Sequence, residues 1–199
     1  MILKNYKIAF TTIALIGVLL IATPALSIYV HLPSGTQFSD IYLLGPNHLA
    51  TGYPFDITVG QNYTTYVVIA NHLVAPAYYI AYVKLRNQTD LLPNVTTGMP
   101  SPVQPLYEYR SFLGNGENCI YTLTFSFPSV SFSKSHCLIK DLTINNSTYQ
   151  LNKPATWDST NKGFYYELLV ELWVYNSQTN KVEFNQHFVG IYLNMTMPG

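Results

Sequence analysis

The side chains able to do chemistry are few and scattered. Five histidines (His31, His48, His72, His136 and His187) and two cysteines (Cys119 and Cys137) supply the nitrogen and sulfur ligands. A blue-copper site needs a distant His and then Cys, His and Met close together on one loop. Neither cysteine is followed by His and Met at short spacing, and His136 precedes Cys137 on what reads as a strand, so the two point to opposite faces. Glu167 and Glu171 share one face of another strand and read as a solvent-facing pair. There is no G-x-S-x-G, no set of Ser, His and acid, and no glycine-rich phosphate loop. These residues therefore imply no catalytic centre, no metal and no cofactor. The formal net charge is zero and only 10% of residues are charged, which excludes the basic face that nucleic-acid binding requires.

The motif that stands out is "TVGQNYTTYVVIANH", residues 58–72. Val59 and Gly60 read as a turn into a strand at residues 64–70, with Gly60 a candidate for positive φ. Asn71 and His72 then leave the strand, where both can bond backbone groups at the strand end. The expected role of the pair is structural.

The elements around this motif are strands. "YIAYVKLR", residues 79–86, alternates: Tyr79, Ala81, Val83 and Leu85 share one face, Lys84 and Arg86 the other. "CIYTLTFSF" (119–127) reads as a strand, with "SVSF" (129–132) a candidate continuation beyond Pro128, and "HCLIKDLTI" (136–144) as the next. "GFYYELLVELWVYN" (163–176) carries a strict period of two through Phe164, Tyr166, Leu168, Val170, Leu172 and Val174. "SQTN" (177–180) is a turn, and "VEFNQHFVGIYLNM" (182–195) returns as the hairpin partner. Seven or so strands make the fold class all-β, a β-sandwich. "PNVTTGMPSPVQPL" (93–106) is a loop stiffened by four prolines, and its apolar Val95, Met99, Val103 and Leu106 form either a partner surface or a cover for the sandwich edge.

At the other end, residues 8–30 hold 23 residues without a charge, preceded by Lys4 and Lys7. As a helix they would extend about 34 Å, enough for a hydrocarbon core of about 30 Å. The expectation is one N-terminal transmembrane helix contacting membrane lipid, with the N-terminus cytoplasmic and the remainder outside. A cleaved signal peptide is the alternative. The expected organisation is a signal anchor over 1–30, a membrane-proximal connector over 31–52 and an extracellular sandwich over 53–199.

An external location fits two further features. An even cysteine count suggests a disulfide between Cys119 and Cys137, worth about 3 kcal/mol in the chain-entropy model, with two free thiols as the alternative. Six N-x-[ST] sequons, at Asn62, Asn87, Asn94, Asn145, Asn146 and Asn194, suggest N-linked glycans.

"GYPFDITVGQNYTTYVVIANH" followed by "YYIAYVKL" resembles an archaeal family of membrane-anchored proteins, the domain-of-unknown-function family sixteen-sixteen. The resemblance rests on Tyr53 and Pro54, on Thr58, Val59 and Gly60, and on Asn71 and His72, with "YELLVELWVYN" and "FVGIYLNM" similar to the closing hairpin. It implies an extracytoplasmic immunoglobulin-like sandwich. The expected function is that of a non-catalytic, single-pass cell-surface glycoprotein bound to other membrane or envelope proteins. The alternatives are an accessory subunit of a membrane-bound oxidoreductase and a surface filament or lattice component.

Overall fold

The computed structural model describes residues 6–7, 10–18 and 37–196. The chain divides into two compact units, residues 1–37 and 38–199. In the first, residues 6–7 and 10–18 are helical, and the Thr11 hydroxyl donates to the Lys7 carbonyl one turn back at 2.7 Å. Among the described residues no helix is long and apolar enough to cross a membrane. Most of the expected anchor at residues 8–30 lies outside the described residues.

The second unit is all-β. Its ten strands are β1 (Ser39–Leu44), β2 (Asp56–Ile57), β3 (Tyr63–Asn71), β4 (Ala77–Asn87), β5 (Tyr107–Leu113), β6 (Asn118–Phe132), β7 (His136–Ile144), β8 (Ser147–Thr156), β9 (Tyr165–Asn176) and β10 (Lys181–Met195). They form two five-stranded sheets, ordered β1-β3-β6-β7-β8 and β2-β10-β9-β4-β5. Every pairing is antiparallel except the short parallel contact of β2 with β10. The inward residues of both sheets interdigitate into one core. The second sheet contributes Tyr79, Ala81, Val83 and Leu85 with Tyr166, Leu168, Val170 and Leu172, and the first contributes Val67, Ile69, Leu123, Phe125 and Phe127, all essentially inaccessible to solvent.

Two bulges keep this alternation in phase. β6 runs unbroken past Pro128 because its register with β7 shifts between Ser126 and Ser129, so Phe127 and Val130 both face inward. The missing N–H of Pro128 falls where the ladder is already interrupted. A second shift, where Ser129 and Val130 oppose Asp141 and Ile139, puts the extra residue on β7 and returns Leu142 and Ile144 to the core. The turn at residues 177–180 joins β9 to β10, as the pattern predicts.

The expected connector at 31–52 is not all connector: residues 39–44 are β1, paired along their whole length with β3. β2, β5 and β8 also lie outside the strands read from the sequence. β8 carries Asn152, Lys153 and Pro154, a composition tolerated because β8 ends its sheet.

Cys119 and Cys137 are free thiols, which corrects the expected disulfide. Cys119 begins β6, opposite Ile69, whereas Cys137 lies opposite Phe132 at the far end of the same strand. Thirteen residues of strand put them on the order of 40 Å apart, far beyond disulfide reach.

Candidate functional site

The outward face of the second sheet carries two buried ion pairs. Arg86 on β4, Glu167 on β9 and Tyr192 on β10 stand directly abreast. Glu171 lies four residues further along β9, about 13 Å away at strand rise, opposite Tyr82. The expectation that both glutamates face solvent is overturned. Glu171 is 0% exposed and Glu167 6%, with Lys84 at 3% and Arg86 at 8%. Arg86 Nε donates to Glu167 Oε2, and Lys84 Nζ donates to Glu171 Oε2 at 2.7 Å across the strand diagonal. Room for the first pair comes from β10. A Cβ on Gly190 would lie 2.2 Å from Glu167 Oε1, so any larger residue there requires the Glu167 carboxylate to shift.

What buries the second pair is the proline-rich loop. The Ser101 backbone N–H donates to Glu171 Oε1 at 2.7 Å, while its carbonyl accepts from Lys84 Nζ at 2.8 Å. Ser101 Oγ donates to the Leu91 carbonyl, and Trp173 Nε1 donates to Glu171 Oε2. The ion pair thus grips both backbone groups of one loop residue and folds the loop over the sheet. The four apolar residues singled out in this loop divide by position. Val103 and Leu106 are half-buried and line a depression with Leu85 and Leu151. Val95 and Met99 are 47% and 63% exposed at a tight tip, closed by paired backbone bonds between Asn94 and Met99.

Beside Arg86 opens a cleft of about 440 Å³ lined by Phe55, Arg86, Gln88, Asp158, Asn161, Tyr165 and Tyr192. The Phe55 and Tyr165 rings lie 6.2 Å apart, tilted by 35°. Tyr192 is 55% exposed and Phe55 48%. On the opposite wall Asp158 Oδ2 accepts from Asn161 Nδ2, and Oδ1 accepts the backbone N–H groups of Thr160 and Asn161. The Asn161 side-chain amide and then these backbone donors hold the Asp158 carboxyl below the usual carboxylate range. Arg86 Nη1 is committed to the Asp90 and Asn87 carbonyls. The annex below this cleft, about 30 Å³, is bounded by Arg86, Glu167 and Tyr166.

Asn71 is the structural latch that its sequence position suggests. It is fully buried. Its Nδ2 donates to the carbonyls of Ala75, Leu113 and Gly114, and its Oδ1 accepts from Leu73 N and Tyr79 Oη. It therefore ties the end of β3 to the end of β5. His72 is exposed and stacks on Phe38 with centroids 4.5 Å apart. Gly60 adopts φ of 80°, as its turn requires. His48 stacks on Tyr66, His136 bonds Ser135 and His187 contacts the Asn185 carbonyl, while His31 lies outside the described residues.

The six sequon asparagines fall into two groups. Asn87 Nδ2 donates to the Pro154 carbonyl, Asn145 Nδ2 to Tyr109 Oη and the Thr122 carbonyl, and Asn194 Nδ2 to Asp56 Oδ1. Asn62, Asn94 and Asn146 are exposed, and their Nδ2 groups make no hydrogen bond to the described residues. Nothing in the N-x-[ST] pattern separates the groups, because the bonds that consume Nδ2 come from other strands.

No protein-family model matches the chain, including one for the archaeal family its motifs resemble, and no curated protein matches it. Among solved structures it is similar over 81% of its length to a mutant β-glucosidase from Listeria innocua in complex with laminaribiose, at 9% identity and TM-score 0.40, and it spans 16% of that chain. It is also similar over 81% of its length to the CARDB domain of a Pyrococcus furiosus protein in complex with di-metal ions, at 8% identity and TM-score 0.39, spanning 90% of that chain. Likenesses this weak carry nothing about function, and the β-sandwich rests on the chain's own two sheets.

Proposed function

We propose that the protein is a single-pass, glycosylated cell-surface protein whose immunoglobulin-like sandwich is a non-catalytic contact module in a membrane or envelope assembly. The observation that carries this reading is the pinned loop. A buried ion pair holds Ser101 by both backbone groups, and the loop tip presents Val95 and Met99 to solvent. An apolar tip held in one conformation loses little entropy on binding, which is how a contact loop gains affinity. The uncharged run at residues 8–30 supports attachment to lipid, and the exposed Asn62, Asn94 and Asn146, whose Nδ2 groups make no bond to the described residues, support N-linked glycans at those three positions. A glycan on Asn94 would stand beside Val95, so the contact is read from the Met99 side of the tip.

Photo-crosslinking in intact membranes tests the proposal. A photoreactive residue at Met99 is expected to give one discrete adduct with another envelope protein, weakened by Val95→Asp. The same probe at Phe112, 70% exposed on β5, serves as control. Identical adducts from both positions would refute a contact loop. External protease that spares residues 38–199 in intact cells would refute the cell-surface placement.

A further inference from the structure

We propose that the cleft between β9, β10 and the residue 158–161 turn is a binding site for a neutral pyranose sugar. The chemistry of its walls selects this class. On one side, Phe55, Tyr165 and Tyr192 offer aromatic surface, two of them about half exposed. Such faces suit the apolar C–H face of a sugar ring.

The other walls offer donors and acceptors together. Among the described residues, Gln88 Oε1, Asn161 Oδ1 and the Tyr192 hydroxyl have no hydrogen-bond partner, although Gln88 Nε2 is held by the Thr156 carbonyl and Asn161 Nδ2 by Asp158. Asp158 Oδ2 takes one donor and keeps a lone pair, whereas its Oδ1 is filled by two. Arg86 Nη2 makes no bond to the described residues, its Nε and Nη1 being committed to Glu167 and to backbone carbonyls. A hydroxyl both donates and accepts, so a polyol uses this mixed set fully.

Charge argues against an anion, which would face the Asp158 carboxylate that its N–H donors keep ionised. Glu167 neutralises Arg86, so the competing class is an organic cation, which the test below separates from a sugar. The side chains are also held in place: Glu167 fixes Arg86, Asp158 fixes Asn161, and the Asn161 carbonyl accepts the Tyr165 hydroxyl at 2.6 Å. A volume of about 440 Å³ accepts one hexose with a neighbouring residue in part.

The test is ligand-observed NMR on the full chain, purified in a polyoxyethylene detergent because alkyl glycosides would compete. The probes are the methyl glycosides of glucose, galactose and mannose, with tetramethylammonium and sulfate as charged comparators. Saturable binding of at least one glycoside is expected, with a Kd on the order of millimolar for a ligand this small. Tyr192→Ala is expected to weaken it about tenfold and Tyr192→Phe much less, since stacking is retained. Asp158→Asn is expected to weaken it severalfold, and Phe112→Ala, remote from the cleft, not at all. Absence of saturable binding by every glycoside, binding indifferent to Tyr192→Ala, or preferential binding of either ion overturns the proposal. The readout is independent of membrane attachment and of any protein partner.

Discussion

Replacing Glu171 by Ala puts the clasp of the proline-rich loop to the most direct test. The substitution leaves the Lys84 ammonium, 3% exposed, without its counter-ion. It also leaves the Ser101 N–H and the Trp173 indole N–H without an acceptor. Breaking a buried ion pair by removing one partner costs about 3–5 kcal/mol, because the remaining charge stays desolvated. Against a total stability of about 5–15 kcal/mol that is a large fraction. For a domain of this size it lowers Tm by about 6–20 °C. Tryptophan fluorescence during urea unfolding reads the loss, and Trp173 reports locally because its indole N–H bonds Glu171. The double variant Lys84→Met with Glu171→Leu buries no charge. It is expected to recover part of the loss, the remainder coming from the Ser101 N–H and carbonyl and the Trp173 N–H, which stay without their partners. Glu108→Ala, which breaks the exposed pair with Arg110, is expected to leave the midpoint unchanged. A Glu171→Ala loss below about 1 kcal/mol, the range of a solvent-exposed pair, would refute the burial argument.

Gly190→Ala is expected to destabilise by about 1–3 kcal/mol, since its Cβ would collide with Glu167 Oε1; an unchanged urea midpoint would show that the Arg86–Glu167 pair moves aside freely. Thiol titration without reductant is expected to find two reactive cysteines in the unfolded chain, with the half-buried Cys119 reacting before the fully buried Cys137 in the folded one. Burial raises the Cys137 thiol from 9.0 to about 11. Between those values the unfolded chain releases this proton and the folded chain keeps it, so stability is intact below pH 9 and declines toward pH 11. The check is whether Cys137→Ala flattens that decline. Peptide mapping of native protein is expected to find glycans on Asn62, Asn94 or Asn146, and bare side chains at Asn87, Asn145 and Asn194, where Nδ2 is already bonded. Occupancy of Asn194 would show instead that its bond to Asp56 is dispensable.

The alternation of Tyr79, Ala81, Val83 and Leu85, and of Tyr166, Leu168, Val170 and Leu172, was legible because a strand's two faces follow from a period of two along the local chain. Whereas the Asn71 bonds to the Leu113 and Gly114 carbonyls join segments far apart in sequence, its bonds to Leu73 and Ala75 and the hairpin of β9 and β10 were legible for the same reason, being local. Whether the outward face of β4 and β9 meets water was not. Lys84, Arg86, Glu167 and Glu171 read as a solvated face, yet residues 91–106 fold back and the Ser101 backbone bonds both Lys84 and Glu171. Gly190 was equally silent, since the crowding at its position comes from the Glu167 side chain of the neighbouring strand. The disulfide failed because cysteine count carries no register, and it is the β6–β7 ladder that sets Cys137 beside Phe132. The cleft was invisible because Phe55, Arg86, Asp158 and Tyr192 come from four separate segments. Which residues alternate is a property of the local chain; which face is covered, and by what, is decided by segments far away in sequence.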